Sequence, residues 1–330
     1  MKSRFTAIAV ALMLVPVALF AQRAVRIQLG SILPANSVYD KSLKRMAAEW
    51  QQETDGRVTL RVLAGSIKDE GSLARRLKAG RPQAAVFSLP GELNDVFNVL
   101  TIPFFFRSDE EAFHVVEQLT PIFERALADN GLVLLNWGHG GWVRFFTAER
   151  VESLVELKQT KVYTTAGDEK MLQWYKQNGF KAQPLALTDV LLGLNTGLIN
   201  AHPTPPYAAL LFQWYDKTPF MLDVPLAPVL GITVVAERTW NRISAEDQRR
   251  LRASAKRVER DLRRDVPAQE REAIEQMTRR GLTVVTLDDA AQASLRQTAD
   301  EMTASWRGTM IPADVYDQAL RARDSFRAGR

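Results

Sequence analysis

Three histidines are the only imidazoles in this chain, and cysteine is absent. His114, His139 and His202 show no spacing typical of a metal site, such as two histidines one helical turn apart with an intervening glutamate. Without thiols there is no disulfide, no cysteine nucleophile and no thiolate ligand. Glycine-rich phosphate loops of the GxxxxGK[ST] or GxGxxG type are also missing. We therefore expect no metal, no nucleotide and no other cofactor.

One short segment could support acyl chemistry. His139-Gly140-Gly141-Trp142 is similar to the oxyanion-hole loop of esterases, in which glycine amides stabilise a developing negative charge. That fold also needs a serine in a GxSxG turn between a strand and a helix, and the sequence contains no such turn. A hydrolase therefore remains an alternative, and we predict no catalytic residues.

The same segment opens the stretch that best predicts a ligand site, Trp137 to Tyr207. It combines glycines next to a tryptophan and an arginine, a short β-type run, and a proline cluster before an aromatic helix. Loops held by flanking strands are common places for small-molecule sites. The sequence predicts a ligand cleft here, between two lobes.

Length and composition are those of a soluble globular protein with more than one core. A chain of 330 residues with 46% hydrophobic residues favours two lobes. The net charge is +5, and the basic side chains of a predicted long helix from Ser244 alternate with acidic ones. A nucleic-acid surface would segregate its charges more strongly, so we expect no nucleic-acid partner.

Residues 1–21 have the pattern of a secretory signal peptide. Lys2 and Arg4 precede an apolar run from Phe5 to Phe20, and Ala21 is a plausible cleavage residue. Cleavage would give a periplasmic protein starting near Gln22, with its net charge lowered from +5 to +3. An uncleaved membrane anchor is the alternative, because Leu19 occupies a position where a smaller residue is preferred.

Strand and helix patterns alternate along the rest of the chain, which predicts a layered α/β architecture. Leu132 to Trp137 is predicted as a strand that leads into the glycine-containing loop. The predicted helix from Ser244 contains Pro267, which should kink or break it.

The order of these segments resembles the solute-binding proteins of TRAP transporters, the DctP-type tripartite ATP-independent periplasmic uptake systems. The resemblance rests on the opening strand with Pro34, the run Ile102-Pro103-Phe104-Phe105-Phe106-Arg107, the turn from Gly141 to Arg144, and the segment Leu157-Lys158-Gln159-Thr160-Lys161-Val162-Tyr163. It extends over nearly the whole mature chain, and the late helix also belongs to it.

This resemblance implies a two-lobed periplasmic binding protein fold of type II-like α/β architecture, with lobes joined by crossing strands and a long helix. We expect residues 22–147 and 233–275 to form the first lobe, and residues 148–232 and 276–330 the second. The implied function is non-enzymatic: hinge closure around a small organic ligand, which is then delivered to a membrane permease. A further periplasmic accessory protein is a second implied partner.

Family members generally hold a carboxylate with an arginine at the position of Tyr163. A phenol is neutral at physiological pH and cannot form the bidentate pair that guanidinium forms. We therefore expect a ligand that is neutral, apolar or weakly acidic, or an acid held by Arg144 alone. A protein of this fold that binds no ligand is the alternative. The predicted ligand-binding residues are Trp142, Arg144, Tyr163, Thr204, Tyr207, His202, Trp137 and Ser88.

Overall fold

A computed structural model of the chain describes residues 24–65, 67 and 69–329. The predicted signal peptide, residues 1–21, lies outside this part of the chain. Within it, no helix combines the length and the hydropathy that a membrane span requires.

Strands and helices alternate through most of the chain, as the sequence patterns predict. The strands are β1 (Val25–Ser31), β2 (Val58–Ala64), β3 (Ala84–Phe87), β4 (Leu132–Trp142), β5 (Arg144–Thr147), β6 (Lys161–Thr165), β7 (Lys181–Leu185), β8 (Ala201–Thr204), β9 (Phe220–Leu222), β10 (Pro228–Ala236) and β11 (Thr283–Val285). The α-helices are α1 (Val38–Glu53), α2 (Glu70–Lys78), α3 (Asp109–Ala128), α4 (Leu154–Gln159), α5 (Glu169–Gln177), α6 (Val190–Thr196), α7 (Pro206–Leu211), α8 (Glu237–Trp240), α9 (Ala245–Thr278), α10 (Asp289–Ala304) and α11 (Ala313–Ala328).

Two separate sheets define the two lobes. The first has the strand order β2-β1-β3-β10-β4, with β1 parallel to β2 and β3, and with β10 antiparallel to β3 and β4. The second has the order β11-β9-β5-β8-β6-β7. Apolar cores lie on both faces of the first sheet, and the second lobe has its own core around Phe145, Val162 and Leu222. The predicted two-lobed α/β fold is confirmed.

The lobes are joined where two crossing segments pair with each other. Val143, between β4 and β5, donates its backbone N–H to the carbonyl of Ala227 at 2.9 Å and accepts from the N–H of Leu226 at 2.9 Å. These bonds stiffen the crossing, and they leave only a few residues on either side to absorb rotation. Such a short, hydrogen-bonded crossing is a suitable hinge.

The long helix α9 passes Pro267 without interruption. A helical proline removes one backbone hydrogen bond and crowds the preceding turn, so the sequence favours a kink or break at this point. Here the buried face of α9 continues on both sides of the proline, with Val266 before it and Ala273 and Met277 after it. Tertiary packing of this face keeps the helix continuous.

Three elements lie elsewhere than the predicted lobe division places them. β5 is assigned to the first lobe by the boundary at residue 147, but it pairs with β8 and β9 in the second sheet. β10 belongs to the first sheet from Pro228 onwards, five residues before the predicted boundary at residue 233. The C-terminal helix α11 packs against α3 of the first lobe, where Val315 and Ala319 join the buried core. A return of the chain to the first lobe depends on long-range packing, which local patterns do not report.

The aromatic run from Ile102 to Phe106 is predicted to pack beneath the first lobe, and Ile102, Phe105 and Phe106 are buried in its core. Phe104 faces the other way. It has a positive φ of 60° and packs on the core of the second lobe, and its backbone N–H donates to Leu226 at 2.6 Å. Through Phe104, this run therefore contacts the crossing segment at Leu226.

Candidate functional site

A cavity of about 260 Å³ lies between the two lobes. One wall comes from the first sheet and the loops after β1 and β3, and the opposite wall comes from β6, β8 and α7. Its polar and aromatic lining residues are Tyr39, Asp69, Glu70, Phe87, Ser88, Glu92, Asn136, His139, Tyr163, Thr165, Thr204, Tyr207, Phe212, Trp214 and Thr233. Most of the remaining surface is aliphatic, including Leu43, Val229, Ile232, Val258 and Leu262.

Four of the predicted ligand-binding residues line this cavity: Ser88, Tyr163, Thr204 and Tyr207. They come from both lobes, so closure of the cleft brings them together. Tyr163 is almost fully buried, and its hydroxyl lies 3.4 Å from the Thr165 hydroxyl. Burial raises the pKa of the Tyr163 phenol, and the nearby Glu70 carboxylate adds to this shift. The phenol therefore stays neutral, as the sequence predicts.

Trp137 and His202 do not reach the cavity. Trp137 is packed in the core of the first lobe, with its ring 5.3 Å from that of Phe123. His202 is fully buried in the second lobe, where it stacks on Phe146 and lies 3.0 Å from the Thr218 hydroxyl. Desolvation lowers the pKa of His202 to about 3, so the imidazole is neutral. Both side chains are parts of apolar cores.

Trp142 and Arg144 lie in the crossing segment and are also absent from the described cavity wall. The indole of Trp142 donates to Asp109 at 2.8 Å, and its backbone N–H donates to Glu270 at 2.7 Å. The Nε of Arg144 lies 3.6 Å from Asp223 and is buried without a hydrogen-bond partner in the described part of the chain. These two residues are thus held by α3, α9 and the segment after β9, and they do not line the cavity in this structure.

Asn136 is the most informative lining residue that sequence reasoning missed. Its side chain is only 2% exposed, and its Nδ2 donates to the carbonyl of Trp137 at 2.9 Å. That bond fixes the amide orientation, and it leaves Oδ1 without a partner among the described residues. Buried acceptors are rarely left unpaired, so the atom is available to a ligand donor. A polar residue inside the apolar run of β4 was the signal.

The end of the cavity near β3 is acidic. Glu70 is buried and accepts from the backbone N–H groups of Ser88 at 2.6 Å and Leu89 at 2.8 Å, and from the Ser88 hydroxyl. Burial raises its pKa despite these bonds. Burial also raises the pKa of Glu92, and the carboxylates of Asp168 and Asp69 add to the shift. No lysine or arginine lines the cavity within the described chain.

The glycine-containing segment cannot serve as an oxyanion hole in this arrangement. The N–H of Gly141 donates to Nδ1 of His139 at 3.1 Å, and the N–H of Trp142 is engaged by Glu270. The other nitrogen of His139, Nε2, lies 2.7 Å from Asp109, which makes this nitrogen the protonated one. Hydrogen bonds from His139 and Trp142 outweigh burial and lower the pKa of Asp109.

This segment is also strand rather than loop. β4 extends to Trp142 and pairs with β10 over most of its length, so Gly138 and His139 face Gly231 and Leu230. Pairing across the sheet supplies hydrogen bonds that a glycine-rich sequence does not reveal. The described residues contain no group of His, Asp and Glu that could hold a metal ion.

A cavity enclosed by two α/β lobes, with paired crossing strands and one long connecting helix, defines a two-lobed ligand-binding protein. Residues 29–309 match the sequence profile of the bacterial extracellular solute-binding protein family 7. A solute-binding protein of Chromohalobacter salexigens is 25% identical over 236 residues, which is 68% of each chain.

Solved structures agree with this family. A solute receptor of Bordetella pertussis that binds pyroglutamic acid superposes with a TM-score of 0.84 at 20% identity, covering 91% of this chain and all of that one. A TRAP periplasmic solute-binding protein of Xanthobacter autotrophicus with bound β-D-galacturonate gives a TM-score of 0.81 at 20% identity, covering 90% and 99%. The chain belongs to the bacterial extracellular solute-binding protein family 7, and the TRAP resemblance is confirmed. It is an extracytoplasmic solute-binding protein.

Proposed function

We propose that this protein captures a small, largely apolar and uncharged organic ligand outside the cytoplasm and delivers it to a TRAP-type membrane permease. The ligand lies in the cavity between the lobes, and closure about the Val143 crossing buries it. Affinity comes mainly from apolar burial, at about 25 cal/mol per Å². The closed form must bind the ligand more tightly than the open form, because only differential affinity can drive closure.

The observation that carries this proposal is the charge of the cavity wall. The wall contains Asp69, Glu70 and Glu92, and its described part contains no cation. The relatives named above bind pyroglutamic acid and galacturonate, which are both carboxylic acids. A carboxylate in this cavity would lose its hydration without gaining a guanidinium and would face like charges, at a cost of roughly several kcal/mol.

The polar lining gives the ligand one further property. Asn136 Oδ1 and the Thr165, Thr204 and Thr233 side chains lie in a mostly aliphatic and aromatic wall. An N–H or O–H on the ligand would satisfy the Asn136 acceptor, whose isolation costs about 1–3 kcal/mol. We therefore favour an apolar molecule with one hydroxyl or amide group over a pure hydrocarbon.

Several properties of the protein's biology belong to the same proposal. The relatives are solute-binding proteins, and we infer that this chain is likewise no enzyme. We also infer export to the periplasm through a cleaved peptide ending at Ala21, with an accessory periplasmic protein as an additional partner. The hydrolase alternative is tested with activated esters, and we expect that the protein does not hydrolyse them.

Identification of the bound molecule is the decisive experiment. The protein is isolated gently from its periplasmic fraction and denatured, and the released small molecules are analysed by mass spectrometry. The matched control is Ala208→Trp, which places a large ring in the cavity wall. We expect a neutral, apolar compound that is enriched in the wild type relative to the control.

Two results would contradict the proposal. Release of a carboxylic acid from the wild type but not from Ala208→Trp would show that the cavity holds an anion. A ligand-independent melting temperature with every compound tested would instead indicate an interaction protein that binds no solute.

A further inference from the structure

We propose that a second apolar chamber next to the main cavity receives the distal end of an elongated ligand. This inference rests on the proposed function, and it adds a separate binding subsite. The second chamber has a volume of about 140 Å³. Five residues line both spaces, namely Ser88, Leu89, Val143, Pro203 and Val229, so the two chambers share a wall at the crossing between the lobes.

The walls of the second chamber suit an apolar group. They include Leu100 and Trp306 from the core of the first lobe, and Met171 and Trp174 on α5 of the second. An apolar cavity of about 150 Å³ holds a benzene-sized group and otherwise stays dry. A phenyl ring or a short alkyl segment therefore matches this chamber in both volume and polarity.

One polar atom distinguishes the chamber from a simple packing defect. Trp306 is 1% exposed, and its Nε1 has no acceptor in the described part of the protein. The neighbouring indole of Trp174, whose ring centroid lies 5.3 Å away, donates its own N–H to the carbonyl of Met302 at 3.0 Å. A buried indole N–H usually has a partner, so Trp306 is the donor that a ligand oxygen would satisfy.

The two chambers together specify an order of groups along the ligand. The hydroxyl or amide N–H of the ligand lies near Asn136 in the main cavity, and its apolar chain runs along Val143, which lines both chambers. Its distal end carries a hydrogen-bond acceptor near Nε1 of Trp306. Since Met171 belongs to the second lobe and Leu100 to the first, a filled second chamber also holds the closed arrangement of the lobes.

A series of neutral probes tests the subsite. The affinities of 1-alkanols from butanol to dodecanol are measured by calorimetry with the wild type, with Met171→Trp, which narrows the chamber, and with Met171→Leu as a volume-conserving control. We expect about a fourfold gain in affinity per methylene in the wild type, which corresponds to about 0.8 kcal/mol. The gain should stop at a shorter chain length in Met171→Trp than in the wild type or in Met171→Leu.

The distal donor is tested with α,ω-diols of the same lengths. Trp306→Phe should weaken long diols about fivefold to tenfold relative to the matching alkanols, because only the diols place an oxygen beside the lost N–H. Trp174→Phe is the matched control, since that N–H already has a protein acceptor; it should show no diol-specific loss.

The outcomes separate this inference from the proposed function. If short alkanols bind but the gain in affinity per methylene ends at the same alkanol chain length in the wild type and in Met171→Trp, the second chamber is not a subsite. Equal weakening of alkanols and diols by Trp306→Phe would refute the role of the donor. If no alkanol of any length binds, the apolar-ligand proposal itself is wrong.

Discussion

The carboxylate of Glu270, on the long helix α9, accepts a hydrogen bond from the backbone N–H of Trp142 at 2.7 Å. This bond connects α9 to the end of β4, where the chain crosses into the second lobe. The other oxygen, Oε1, is buried and makes no hydrogen bond of normal geometry within the described residues, although the backbone of Tyr207 lies close enough to the carboxyl group to affect its pKa. Burial raises the pKa of Glu270 to about 7, although the Trp142 amide and the charge of Arg144 oppose the shift.

The first prediction follows from this raised pKa. A carboxyl group that is easier to protonate in the folded protein contributes stability below its usual pKa of about 4.5, and that contribution is lost as the pH rises through about 7. In the wild type, the free energy of unfolding should therefore decline by on the order of 3 kcal/mol between pH 5 and 8. Glu270→Gln should abolish this decline.

Denaturant unfolding of the two proteins across this pH range measures the effect. Glu272→Gln, an exposed position on the same helix, is the control and should follow the wild type. Parallel pH profiles for the wild type and Glu270→Gln would show that folding does not raise the pKa of Glu270, which would contradict the prediction.

A second prediction concerns the glycine opposite Glu270. Gly141 has a φ of +90°, and a Cβ at this position would lie 2.3 Å from Glu270 Oε1. Gly141→Ala should therefore lower the free energy of unfolding by more than about 2 kcal/mol, through backbone strain and displacement of the carboxylate. Gly167→Ala has a similar φ of +98° but open space, so it isolates the steric contribution. Equal losses in the two variants would exclude that contribution.

Acid stability should depend on His202. Its pKa is lowered by burial to about 3, so its neutral form stabilises the fold above its usual pKa of about 6.5, and this stability is lost as the pH falls through 3. His202→Phe keeps the ring stack on Phe146 and should flatten the acid side of the stability profile. His114→Gln is the control. An unchanged profile, or a loss of ligand affinity in His202→Phe, would contradict a purely structural role.

Asn136 should set the preference for a ligand donor. Asn136→Leu should weaken binding of 1-octanol roughly tenfold, the equivalent of one hydrogen bond of about 1.5 kcal/mol, and should leave octyl methyl ether unaffected. Titration calorimetry with both compounds measures the difference. An equal change for the alcohol and the ether would place the Asn136 acceptor out of reach of the ligand.

Tyr163 and Arg144 should respond differently to substitution. Tyr163→Ala removes an aromatic wall of the cavity and should weaken an apolar ligand at least tenfold, whereas Tyr163→Phe should have a small effect. Arg144→Gln should change the affinity by less than about twofold but lower the melting temperature, because the side chain is buried in the crossing. Large losses of affinity in Arg144→Gln would restore the arginine as a ligand contact.

Local patterns predicted the elements of this fold well, because apolar periodicity and helix caps act over a few residues. Ser37, Ser108 and Ser244 each precede a helix and accept a hydrogen bond from a backbone N–H of its first turn. Order along the chain was sufficient to indicate the family. Continuity of α9 at Pro267, by contrast, depends on contacts along its buried face, which no local pattern contains.

The sequence by itself determined the residue types: the missing cysteines, the phenol of Tyr163 and the aromatic residues near the cleft. Only the tertiary structure decided which of them meet. It placed Tyr163, Thr204, Tyr207 and Ser88 around one cavity, and it buried Trp137 and His202 in the cores of different lobes. The reason is physical: the position of a side chain depends on strand register and packing between distant segments, which one-dimensional spacing does not encode.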